Sequence, residues 1–289
     1  MHKYLKIHDM YIEFIYQFND YFKDTIDVYQ TESIHQNFYQ IAVYVEDHIS
    51  LPNEFIDHHI MNNRKVYETQ NGKYIVTFAN NHDIKHMIYH TNDYRTIRII
   101  LNSKLSKRLA EYEYALSGIM FLELAIKQGY LPVHASALTV DKYTLLLSGP
   151  SQTGKSTQTR FLQSSFANTQ IINEDKPLLF IRDQVCFVTG SPWSGKDVIN
   201  SNTTKEVQAL FFIHQSESLA IKELSEKEKM NHIFKNTQRP FYEDLVETIA
   251  ETIQNVIPNL DIYQFDCIND NLSATFLYQF MEDHYENKS

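Results

Sequence analysis

The run Gly149-Pro-Ser-Gln-Thr-Gly-Lys-Ser156 is a complete G-x-x-x-x-G-K-[ST] loop. The chemistry that this spacing supports is anion binding. Consecutive backbone N–H groups form a concave nest for phosphate oxygens. The helix that follows points its positive N-terminal end at the same oxygens. Lys155 would neutralise the outer phosphates of a nucleotide, and Ser156 would offer its hydroxyl to Mg²⁺. Gly149, Ser151, Thr153, Gly154, Lys155, Ser156 and Thr157 are the candidate phosphate-binding residues. Only 7 of the 289 residues are glycine, and four of them, Gly149, Gly154, Gly190 and Gly195, fall in two short loops. Glycine serves where the backbone needs positive φ or must approach a ligand closely, so the scarce glycines point to one site.

Two hairpins place further chemistry beside the loop. Val133 to Val140 and Tyr143 to Ser148 flank Asp141-Lys142. If that pair forms the turn, Val140 faces Tyr143, and counting outward sets His134 opposite Gly149. A slip of one residue would send the imidazole to the other face, where a buried structural histidine is the plain reading. The second hairpin joins Pro177–Ile181 to Val185–Val188 through Arg182-Asp183-Gln184. It brings Gly190-Ser-Pro-Trp193 beside Asp175. Just before it, Gln170-Ile-Ile172 reads as a strand ending in Asn173-Glu174-Asp175. Acids at a strand end after a phosphate loop are where a metal ligand or a base belongs, although two surface acids would read the same way. Asp175 and Ser156 are the candidate metal ligands. Gly190, Trp193, Gly195 and Lys196 are the candidate substrate loop, with Lys196 in reach of a phosphate or carboxylate. A structural turn capped by the only tryptophan is the alternative.

The elements that must hold these groups are mixed α and β. Residues 1–105 read as strands, among them Tyr39–Val45, Lys73–Phe78 and Arg95–Leu101, with Asn71-Gly72 as a hairpin turn. This region is expected to be scaffold or a substrate-recognition surface. Residues 106–289 are expected to form the second domain. Ser106–Lys127 reads as a buried helix ended by Gly129. Lys155–Phe166, Glu226–Lys235, Phe241–Val256 and Leu272–Tyr285 read as helices, and Tyr143–Leu147 and Leu260–Phe265 as strands.

Composition narrows the function. Apolar residues make up 43% and charged residues 21%, an ordinary globular balance, and the net charge of −10 gives no basic face for nucleic acid. No run reaches the ~18 apolar residues of a membrane span, and the N-terminus has no signal-like apolar stretch. Cys186 and Cys267 form neither a disulfide framework nor a metal motif, which fits a reducing cytoplasm. Among the thirteen histidines, the closest pairs, His58-His59 and His82/His86, are expected on the surface rather than on a metal.

His134-Ala-Ser-Ala, the hairpin, Gly149-Pro-Ser-x-x-Gly-Lys-Ser-Thr157, Asn173-Glu-Asp175 and Ser191-Pro-Trp193, in that order, resemble the HPr kinase/phosphorylase-like superfamily. The small branch of that superfamily, which includes lasso-peptide kinases beside ribosomal-peptide clusters, is the nearest resemblance. It covers roughly residues 106–270. It implies an α/β phosphate-loop core preceded by an antiparallel hairpin, as in ATP-dependent phosphoenolpyruvate carboxykinases, with a β-rich N-terminal segment added. It implies ATP and Mg²⁺ at Lys155 and Ser156, an active-site imidazole at His134, and paired acids at Glu174 and Asp175, one as base and one on the metal. Two departures stand out. Glu174 replaces the usual first Asp, and the glutamate and arginine motif of true HPr kinases is absent. The implied activity is phosphoryl transfer to a serine hydroxyl of a peptide or small protein. A small-molecule kinase, a nucleotide-dependent decarboxylase and a non-enzymatic ATP-binding module are the alternatives.

Overall fold

A computed structural model gives the fold. It describes residues 1–289 except 24, 33–37, 62–63, 81, 151, 195–198 and 287–289. The described residues form three sheets and five α-helices, in two compact units, Met1–Lys127 and Gln128–Ser289.

The first unit is one eight-stranded sheet of β1 (His2–Ile7), β2 (Met10–Ile15), β3 (Tyr39–Glu46), β4 (Asp57–Met61), β5 (Arg64–Glu68), β6 (Gly72–Phe78), β7 (Ile84–Thr91) and β8 (Thr96–Asn102). Their spatial order is β1-β2-β3-β8-β7-β6-β5-β4. Alternation puts Leu5, Ile12, Phe14, Ile41, Ile97 and Ile99 in the core. Helix α1 (Leu109–Lys127) packs on β8 and β3. It is apolar nearly all round, and its polar exceptions are satisfied: buried Glu113 accepts from the backbone N–H of Gln17 (2.6 Å) and Phe18 (2.8 Å). The helix expected to open the second domain therefore packs with the first unit, and the units divide after Lys127 rather than after 105.

Three local expectations are corrected. Asn71-Gly72 is not a two-residue turn. Glu68 pairs with Lys73 and Gly72 already belongs to β6, so the connection is Thr69–Asn71, closed by Thr69 N–H to Gly72 O (2.9 Å) and Thr69 Oγ1 to Gly72 O (2.8 Å). Nor is His86 on the surface: it points inward from β7 and is 7% exposed. The third concerns the hairpin of the second unit. Arg182 pairs with Val185, so Asp183-Gln184 alone make the turn, both with positive φ (50° and 61°), as a type I′ turn requires.

The second unit carries β9 (Leu131–Pro132), β10 (Ala135–Val140), β11 (Tyr143–Ser148), α2 (Lys155–Ser165), β12 (Thr169–Asn173), β13 (Leu178–Arg182), β14 (Val185–Thr189), β15 (Thr204–Glu206), β16 (Ala209–Gln215), β17 (Ala220–Glu223), α3 (Glu226–Lys235), α4 (Glu243–Val256), β18 (Asp261–Cys267) and α5 (Leu272–Tyr285). Its main sheet runs β12-β10-β11-β16-β18-β17, with β11, β16 and β18 parallel; a smaller sheet runs β15-β14-β13-β9. β11 is buried on both faces, which is why it reads as an unbroken apolar run. One core joins Leu145, Leu147, Phe211 and Phe265 to Leu162 of α2 and Leu277 and Met281 of α5. Parallel strands end on the same side, so the loops after Ser148, Gln215 and Cys267 open at one sheet edge. The antiparallel partners bring the start of β10 and the end of β12 to that same edge.

Candidate active site at the carboxyl ends of the central strands

The register of the first hairpin is the expected one: Val140 faces Tyr143, and Ala135 faces Ser148. His134 therefore stands one step outside the ladder, beside Gly149. Its backbone is clamped on two sides. Ser148 Oγ donates to His134 O (2.9 Å), and His134 N–H donates to Asn236 O (2.7 Å), at the end of α3.

The loop after β11 needs both glycines. Gly149 has φ +148°, and a Cβ there would sit 2.9 Å from Thr153 Oγ1. Gly154 has φ +98° and forms the N-cap of α2. Gln152 also takes positive φ (70°). Thr153 Oγ1 closes the loop by donating to Pro150 O (2.8 Å). Lys155, Ser156 and Thr157 then occupy the first turn of α2, where the helix leaves its N–H groups without intrahelical acceptors. Ser151 lies outside the described residues.

Lys155 is 9% exposed, and its ammonium donates to the carbonyls of Gly149 (2.8 Å) and Pro150 (3.3 Å). Burial pulls its pKa below the ordinary lysine value; Asp175 works against that shift, and Lys176 adds to it. Taking an ammonium out of water costs several kcal/mol. Two carbonyl hydrogen bonds offset that cost without bringing an opposite charge beside the ammonium. A nearby anion would return more, so the loop favours one.

His134 Nε2 lies 3.5 Å from Asp175 Oδ1. Burial lowers the imidazole pKa most, Lys155 and Lys176 lower it further, and Asp175 opposes them. The ring is therefore neutral at pH 7. Asp175 is the member of the acidic pair that meets it. Glu174 is held through its backbone carbonyl, which accepts from Ser136 Oγ (3.4 Å).

Two residues without an expected role complete the arrangement. Lys176 is the second cation acting on both Lys155 and His134. Asn173 is fully buried. Its Oδ1 accepts from the N–H of Asp175 (3.0 Å) and Lys176 (2.7 Å), and its Nδ2 donates to Ser191 O (3.1 Å). An Asn whose side chain can bond the backbone two and three residues on is a sequence signal for such a turn. A Lys directly after strand-end acids is a weaker signal.

Gly190 through Ser194 are buried, and Trp193 is 3% exposed, so the indole packs inside the unit. Gly195 and Lys196 lie outside the described residues.

Among the described residues, no three or more His, Cys, Asp or Glu side chains group as a metal cage. Mg²⁺ held through phosphates needs only one or two carboxylates. The Ser156 hydroxyl and the Asp175 carboxylate are hard oxygen donors of that kind. Among the described residues, no helix is long and apolar enough to cross a membrane. Cys186 and Cys267 are both buried and free, with burial raising their thiols to about 12 and about 11.

No family model and no curated protein matches the chain. Among solved structures, it is similar to the Hpr(Ser) kinase/phosphatase from Coxiella burnetii at 11% identity and a TM-score of 0.34, over 55% of this chain and 99% of that one. A likeness of that size does not establish a family.

Proposed function

We propose that the chain is an ATP- and Mg²⁺-dependent phosphotransferase that moves the γ-phosphoryl group to a hydroxyl, a serine of a peptide or small protein being the acceptor class. The observation that carries this reading is the His134–Asp175 pair, 3.5 Å apart and electrostatically coupled to the phosphate-loop lysine, Lys155. A loop that binds anions needs no such pair; a site that must also move a proton does.

Phosphoryl transfer asks the protein for positioning and charge neutralisation more than for covalent work. The Pγ–O bond to ADP breaks as the acceptor oxygen bonds to phosphorus, and the acceptor proton must leave. Asp175 takes that proton, and neutral His134, beside it, orients the carboxylate. Lys155 and the loop N–H groups balance the charge on the phosphate oxygens, and Lys176 adds a second cation. Mg²⁺, when bound through Ser156 and Glu174, the acid of the pair not used as base, would supply further neutralisation.

Incubation of the full chain with γ-labelled ATP, Mg²⁺ and a library of serine-containing peptides tests the reading. Label on an acceptor, lost in Asp175→Asn, is the expected result. Tight ATP binding with no transfer to any peptide or metabolite would point instead to a nucleotide-binding module.

A further inference from the structure

We propose that a cavity on the β16–β18 flank of the phosphate loop receives the nucleoside, base and ribose, of the nucleotide. The proposal rests on the phosphotransferase reading and adds a direction to it. β11, which carries the loop, has two neighbours in the sheet. On the β10 side stand His134 and Asp175, so the phosphoryl group that is transferred belongs there. The rest of the nucleotide must then leave over the other neighbour, β16.

That is where the cavity lies. It measures about 290 Å³ and is lined by Gly154 and Thr157 from the loop and helix, Gln215 and Ser216 after β16, and Cys267 and Asn269 around the end of β18. A crevice beyond the carboxyl ends of parallel strands is the general ligand position in open α/β sheets. The volume sits at the ~300 Å³ lower end of small-molecule sites, enough for a nucleoside and little more.

The lining chemistry separates the two ends of the ligand. None of the described residues that line the cavity is charged, in a chain whose residues are 21% charged. A second phosphate or a carboxylate would meet no cation among them. Amides and hydroxyls can both donate and accept, which suits the edges of a neutral base and the ribose hydroxyls. The walls are also braced. Buried Gln158 donates from Nε2 to Ile268 O (2.9 Å), tying the loop after β18 to α2, and Ser273 Oγ donates to the same carbonyl (2.8 Å). Gln215 reaches over the loop: its Nε2 lies 3.5 Å from where a Cβ on Gly154 would sit.

Calorimetry with Mg-ATP and Mg-tripolyphosphate on the full chain tests the proposal. Ser216→Trp should fill the cavity. We expect ATP to bind at least 10-fold more weakly, with tripolyphosphate within about twofold of wild type. Asn269→Trp, at an exposed position, should give the same split and guards against a folding defect in the first variant. Unchanged ATP affinity in a folded variant, or an equal loss for both ligands, overturns the proposal. Wild-type protein that holds tripolyphosphate as tightly as ATP also overturns it, while the phosphate-loop reading stands. Wild-type protein that binds neither removes both.

Discussion

His134 and Asp175 meet at 3.5 Å although one precedes β10 and the other follows β12. Two antiparallel pairings on β10 make this contact. Ala135 pairs with Ser148 on one side, and Ala137 pairs with Asn173 on the other. The imidazole is thereby fixed between the phosphate loop and the acid tip.

The titration of His134 sets a pH dependence. Burial, then Lys155 and Lys176, hold its pKa below the ordinary value near 6.5, so the ring takes a proton only on the acid side of that value. Transfer activity should be flat through neutrality and fall at lower pH. His134→Asn should be slower at pH 7 and should lack the part of the acid limb due to the imidazole. An unchanged pH profile in the variant would remove His134 from the mechanism.

Asp175→Asn separates binding from chemistry. General-base catalysis is worth ~10²–10⁴-fold, and the amide cannot take the proton. Single-turnover transfer should fall by about that factor, while ATP affinity by calorimetry stays within a few fold. Glu174→Gln should cost less, because Asp175 is the acid that faces His134.

Lys155→Met should act on binding. The ammonium contacts two loop carbonyls and is the most buried cation of the site. Affinity for both Mg-ATP and Mg-tripolyphosphate should fall at least 10-fold. Retained tripolyphosphate affinity would mean that the loop does not cradle phosphate.

Asn173→Ala tests the buried amide. Its loss leaves two backbone N–H groups and one carbonyl without their partner, at about 1–3 kcal/mol for each buried group left unsatisfied. We expect a lower melting temperature and a kcat reduced about 10-fold or more, with KM for ATP little changed. A drop in stability alone would make Asn173 purely structural.

The first unit has its own acid sensitivity. His86 is buried, its Nδ1 has no hydrogen-bond partner, and burial lowers its pKa to about 4, with Arg64 and Lys85 adding to the shift. Between 6.5 and about 4 the unfolded chain binds the proton first, so stability falls as pH falls through that window and levels off below it. The full effect is about 3 kcal/mol at 1.36 kcal/mol per pKa unit. Urea midpoints against pH should show it, and His86→Phe should flatten the curve.

Much of this was legible in the sequence for identifiable reasons. Local signals worked where the chain decides locally. The helix at Glu226–Lys235 and the Asp141-Lys142 register each depend on a few neighbouring residues. Long-range decisions were not legible. Whether α1 packs with the first or the second unit depends on strands far away in the chain. The burial of Trp193 and His86 depends on which face a neighbouring element covers. The bracing role of Asn173 was not legible either, because one of its bonds runs to Ser191, beyond the next hairpin.

The type I′ turn at Asp183-Gln184 lies at the opposite end of β13 from the acid tip, and its residues are exposed. Evolution or an engineer could lengthen the chain there without disturbing the charges that face the phosphate loop. A dye or a tag inserted between these two residues would travel with the protein while leaving its chemistry alone.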